Sequence, residues 1–226
     1  GPGPFPGVVV NQGLGSVEEA IQTLTRRVSE TGVVAVAPLY YHRQKDNILE
    51  EVKHMPPGTP ERSVRLREKM LQLRDDEVIA DGQAAADHLC SMPNVDPERI
   101  GVMGFCLGGH ITYLLTTALD AFKVSVPFYP AGLWQAWSDG PSPFERSAEI
   151  NCPLMGLFGA DDENPSPEQV AELDAQLTRL GKEHEFHTYP DAGHDFQNFR
   201  SSNYRERAAK DSWPVAMGFL RKHLAY

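Results

Sequence analysis

Cysteine is scarce: three residues in 226, at positions 90, 106 and 152. Three thiols cannot all pair with one another, and their spacing fits no metal-binding pattern. A disulfide framework and a cysteine-bound zinc are thereby excluded, and a reducing, cytoplasmic setting is expected. Positive charge is also in short supply. The chain has 21 Lys and Arg against 31 Asp and Glu, a formal net charge of −10. That argues against nucleic acid or an anionic membrane as partner. It leaves small anionic substrates open, because a pocket can be locally basic. Long apolar runs are missing; none approaches the roughly 18 residues of a membrane span. No signal peptide is visible, and there is no internal repeat, low-complexity tract or dividing linker. The expectation is one α/β domain over residues 1–226, with a sizeable core, acting as a monomer or dimer.

What is present alternates between strand and helix. Residues 1–7 are Gly and Pro with one Phe, a lead-in. Val8-Val9-Val10 is a short continuous β-branched run, as in a central parallel strand. After the flexible Asn11–Gly15 loop, Ser16-Val17-Glu18-Glu19 has the form of a capping box. The helix it opens carries Val17, Ala20, Ile21, Leu24 and Val28 on one face and stops at Gly32. Val33–Ala37 is a second strand, so β-α-β is read directly and a mostly parallel sheet with helices on both faces follows. Residues 39–62 form a charged excursion from the sheet's carboxyl edge, where substrate pockets are often built. Helices are predicted over about 60–73 and from Asp75 or Asp76 to Cys90. Further strands are predicted at 123–126, 154–158 and 185–189. A second capping box, Ser166-Pro167-Glu168-Gln169, opens a helix ended by Gly181. A last helix spans about 204–224, with Pro214 as a kink or break.

The most informative stretch is Ile100-Gly101-Val102-Met103-Gly104-Phe105-Cys106-Leu107-Gly108-Gly109-His110. A buried strand runs into a helix whose apolar face is Leu107, Ile111, Leu114, Leu115 and Ala118. Between them lies Gly-x-Cys-x-Gly. A nucleophile on so sharp a turn needs small neighbours, and the positive end of a helix favours thiolate. The motif alone also fits a glycine-rich turn with an inert Cys. Two further residues follow predicted strands at the same sheet edge: Asp161 and His194. Nucleophile, acid and histidine then stand in α/β-hydrolase order. Cys106 would attack, His194 would move the proton, and Asp161 would hold the imidazole. Asp161 is preferred to Asp162 because it lies nearer the strand end. Backbone N–H groups of Leu107 and Gly13 are the candidate oxyanion donors.

Other readings are weaker. Gly13-Leu14-Gly15 lacks the third glycine or lysine of a phosphate loop. The Asp161-Asp162-Glu163 spacing fails the EF-hand pattern. His184 and His187 face opposite ways on a strand. No metal and no cofactor is expected. Trp134 and Trp137, in the irregular stretch 132–149, either wall a pocket or pin a loop.

The chain resembles the dienelactone hydrolase (carboxymethylenebutenolidase) family. The resemblance is carried by Gly104-Phe105-Cys106-Leu107-Gly108-Gly109, Phe158-Gly159-Ala160-Asp161 and Tyr189-Pro190-Asp191-Ala192-Gly193-His194-Asp195-Phe196, and extends from Val8 to Leu224. It implies the α/β-hydrolase fold and cofactor-free hydrolysis of a small ester or lactone by a Cys-His-Asp triad through a thioester. The rival readings are thioesterase or peptidase chemistry on the same triad, or a non-catalytic ligand-binding member. The chain departs from the pattern at two points. Gln12 stands where a Glu facing the thiol is expected, and Asn198 where an Arg for a substrate carboxylate is expected, for which Arg43 or Arg200 would substitute. Gln12, Arg43, Tyr129, Trp134 and Phe196 are the candidate substrate contacts.

Overall fold

The computed structural model describes residues 3–45, 48–56 and 59–226. Parts of the charged excursion (46–47 and 57–58) and of the lead-in (1–2) lie outside them. The described residues form six strands: β1 (Phe5–Asn11), β2 (Val34–Val36), β3 (Val95–Phe105), β4 (Val124–Phe128), β5 (Leu154–Gly159) and β6 (His184–Tyr189). They make one all-parallel sheet in the order β2-β1-β3-β4-β5-β6. Among the described residues seven α-helices accompany them: α1 (Glu19–Ser29), α2 (Ile48–Val52), α3 (Pro60–Met70), α4 (Asp75–Ser91), α5 (Leu107–Ala118), α6 (Pro167–Arg179) and α7 (Glu206–Leu224).

The apolar runs fill both faces of the sheet because successive strand residues point opposite ways. Val8, Val10, Met103 and Phe105 meet Ile21, Leu24 and Val28 of α1 and Ala216, Phe219 and Leu220 of α7. Val9, Ile100 and Val102 meet Val78, Ala86 and Leu89 of α4 and Ile111 and Leu114 of α5. Burying each Leu, Ile or Val of this set contributes about 1.5–3 kcal/mol. Leu173 and Leu177 of α6 pack with Tyr113, Leu154 and Phe158 beyond them. No helix of the described residues is long and apolar enough to cross a membrane.

Two local expectations change. The first capping box does not form. Ser16 sits at φ 70°, Glu18 is the N-cap of α1 without a side-chain cap bond, and Ser16 Oγ instead donates to Gln12 Oε1 at 3.2 Å. The second box does form, with Gln169 N donating to Ser166 Oγ at 3.3 Å and Ser166 N to Gln169 Oε1 at 3.0 Å. The difference lies in the loop: Gln12 turns the first serine inward before its helix begins. α7 runs through Pro214 without ending. Ala208 and Ala209 before it and Ala216, Met217 and Leu220 after it are buried, which offsets a disruption of about 3 kcal/mol.

Candidate active site

Cys106 occupies the turn between β3 and α5 with φ 59° and ψ −116°. A non-glycine residue there is strained. The surrounding bonds hold it: its N–H donates to Phe128 O at 3.1 Å, and its carbonyl accepts from His110 N at 3.1 Å and Ala131 N at 3.3 Å. The glycines are steric necessities. A Cβ on Gly104 would overlap the Gly108 carbonyl, and one on Gly108 would overlap the carbonyls of Asn11 and Gln12. One on Gly109 would stand 2.5 Å from Phe128 O.

A buried polar chain backs the turn. Thr112 Oγ1 donates to Gly108 O at 2.7 Å and receives Asn11 Nδ2 at 2.9 Å. Tyr40 donates twice, from its hydroxyl to Asn11 Oδ1 at 2.7 Å and from its N–H to Gln12 Oε1 at 3.0 Å. Asn11, Tyr40 and Thr112 were not singled out from sequence. Their signal was a polar side chain closing or interrupting an apolar run.

His194 Nδ1 lies 2.9 and 3.2 Å from the two Asp162 oxygens. The structure therefore pairs the histidine with Asp162 rather than Asp161. β5 ends at Gly159, and two further residues complete the turn. Asp161 N–H donates to Ala192 O at 2.9 Å, which leaves its side chain exposed at the cleft rim. Asp162 points back inside, with its side chain 1% exposed, and Asn164 N–H donates to its Oδ1 at 2.9 Å. Burial opposes a charged His194, but its interactions with Cys106 and the Asp162 carboxylate outweigh it. Its basicity is pushed well above the ordinary histidine value.

Two cavities of about 710 and 590 Å3 share Leu14, Arg67, Cys106, His194 and Asn203 in their walls. Tyr129 lines the smaller one, at φ 35°, with its ring edge-on to His194 at 5.2 Å between centroids. Gly13 lines it too, and Leu107 lines the larger one as first residue of α5. The other candidate contacts fall elsewhere. Gln12 is 0% exposed and serves as the acceptor for Tyr40 and Ser16. Arg43 grips Asp81 of α4 with both guanidinium nitrogens, away from both cavities. Trp134 stacks on Phe144 at 5.1 Å in the third core cluster. Phe196 is core, packed 5.0 Å from the ring of Tyr129. Each was placed by its loop, but loop direction is set by contacts far away in sequence. Asn198 and Arg200 both line the smaller cavity; Asn198 donates to Asp195 Oδ2 at 3.0 Å and Arg200 lies 3.6 Å from Glu19. Among the described residues no three His, Cys, Asp or Glu side chains converge as a metal site requires.

Trp137, not Trp134, walls the larger cavity. It stacks on His110 with centroids 4.0 Å apart and planes at 12°, and its backbone N–H donates to buried Asp75 Oδ2 at 3.2 Å. His110 Nδ1 faces Ala131 O at 2.9 Å. A carbonyl only accepts, so this nitrogen carries the proton. Burial lowers the His110 pKa from 6.5 to about 4. As pH falls through this window the unfolded chain takes up the proton first, so folded stability is lost. The loss from this group is about 2–3 kcal/mol by pH 4 and nothing above pH 7. Urea unfolding at pH 7 and 4.5 checks this: His110→Gln is expected to flatten the pH dependence by about 2 kcal/mol. Equal pH dependence in both proteins would assign the acid sensitivity to other groups.

A family model described as the dienelactone hydrolase family matches residues 1–224. A protein of Synechocystis sp. named "Putative carboxymethylenebutenolidase" is 32% identical over 213 residues, covering 93% of this chain and 83% of its own. One of the same name from Escherichia coli K12 is 28% identical over 226 residues, with 98% and 78% covered. A solved structure named as a "Putative Dienelactone Hydrolase", from Klebsiella pneumoniae, superposes with a TM-score of 0.87 at 28% identity, covering 98% of this chain and 89% of that one. An acylaminoacyl peptidase, 18% identical with a TM-score of 0.69, covers 97% of this chain and 37% of its own and shares the fold.

Proposed function

Because the chain belongs to the dienelactone hydrolase family and is a hydrolase of that kind, we propose that it cleaves a small ester or lactone with Cys106, His194 and Asp162 as triad. The observation that carries this reading is the imidazole of His194, which interacts with both the Cys106 sulfur and the Asp162 carboxylate. Asp162 engages Nδ1 and leaves Nε2 for proton transfer. The thiolate attacks the carbonyl carbon, forming the C–S bond while the carbonyl electrons move to oxygen. Leu107 N–H, at the open end of α5, and Gly13 N–H receive that oxyanion. The oxyanion collapses, the C–O bond breaks, and the leaving oxygen takes the proton from His194. Water then attacks the thioester and gives its proton to His194. The C–S bond breaks, releasing the acid and restoring the thiolate.

Turnover of p-nitrophenyl acetate is measured before and after iodoacetamide treatment, with mass spectrometry locating the label. A Cys90→Ser background removes the exposed thiol from competition, while burial pushes the Cys152 thiol up to about 12 and keeps it slow. Turnover is expected to fall in proportion to label on Cys106. Full labelling of Cys106 with turnover intact would overturn the reading.

A further inference from the structure

One wall of the cleft comes from a segment remote in sequence. α3 presents Arg62 and Leu66 to the smaller cavity, opposite the Gly13-Leu14-Gly15 loop. Arg62 Nη2 donates to Glu18 Oε1 across that gap. The Arg62 side chain is only 12% exposed. Glu18 is the N-cap of α1, where a carboxylate ordinarily accepts from the helix's first N–H groups. It makes no such bond and lies back over the loop: a Cβ on Gly15 would overlap its carboxyl group. Gly15 sits in the turn closed by Ser16 N–H on Gly13 O without a positive φ, so its small size makes room for that carboxylate. The same short loop carries Gly13, whose N–H is the second oxyanion donor in the reading above.

We propose that Glu18 and Arg62 form a positioning clasp that holds the oxyanion loop against α3 and fixes the Gly13 N–H for the transition state. The inference rests on the hydrolase reading and assigns two residues to it that touch neither nucleophile nor base. A donor held loosely stabilises the ground state about as before and the developing oxyanion less, so the loss falls on kcat.

The test measures kcat and KM for p-nitrophenyl acetate alongside the rate of Cys106 alkylation by iodoacetamide, which needs no oxyanion hole. Glu18→Gln and Arg62→Met are each expected to lower kcat about tenfold, with KM and the alkylation rate each within about threefold. The double variant should lose about tenfold rather than a hundredfold, because the two act as one unit. Arg62→Lys should recover most of the loss. Gly15→Ala keeps both charges but takes the carboxylate's space, and should fall with the single variants. Unchanged kcat, additive losses, or alkylation slowing in parallel with kcat would each overturn the clasp. Absence of turnover in the wild type would overturn the hydrolase reading and the clasp with it.

Discussion

Cys106→Ala is expected to abolish ester turnover, with kcat reduced about 10^4-fold or more, while the thermal unfolding midpoint stays within a few degrees. The two halves of this result have separate causes. In the proposed mechanism the sulfur is the atom that forms the acyl bond, so its removal leaves only the residual acceleration of the proposed oxyanion donors. Alanine keeps the Cβ, so the turn at φ 59° carries the same strain in both proteins. The bonds that hold the turn run through the backbone of residue 106 to Phe128, His110 and Ala131, and none needs the side chain. Steady-state kinetics paired with circular dichroism melting reads both halves. Retained turnover in a folded Cys106→Ala protein would remove the nucleophile from the mechanism.

Asp162→Asn is expected to lower kcat about 10^3–10^4-fold, and Asp161→Asn less than about tenfold. Asn at 162 is nearly isosteric, but its amide presents either an N–H or a single neutral oxygen to His194 Nδ1. It can therefore leave the imidazole in the wrong tautomer, and it withdraws the charge that favours imidazolium. Asp161 is exposed and is held by its backbone N–H to Ala192. Its replacement changes only the charge at the cleft rim, which solvent screens. The two variants, measured on one ester across pH 5–9, separate the neighbours. The reverse ranking would return the role to Asp161.

The buried carboxylate illustrates a general division. Chain order, strand ends and the presence of an acid after β5 were legible, because hydrophobic periodicity records them locally. Which of two adjacent carboxylates turns inward was not. That depends on how the Gly159–Asp162 turn is pinned by Ala192, thirty residues on. Proximity to the strand end, the criterion that favoured Asp161, ignores the residues a tight turn consumes.

The sequence by itself determined the parallel α/β arrangement, the glycine-flanked turn at Cys106, the placing of Cys106 and His194 at one edge of the sheet, and the family. These follow from short-range patterns: the continuous apolar runs Val8–Val10 and Ile100–Met103, buried along their whole length, and the Gly-x-Cys-x-Gly-Gly spacing at the turn that follows the second of them. The tertiary structure alone decided which carboxylate faces His194, the inward turn of Ser16 onto Gln12, the binding of Arg43 to Asp81 and the exchange of Trp134 for Trp137 at the cavity wall. It also brought Arg62 to Glu18 across 44 positions. Such pairings depend on where loops travel after they leave the sheet. A local pattern of residue types carries no record of that path.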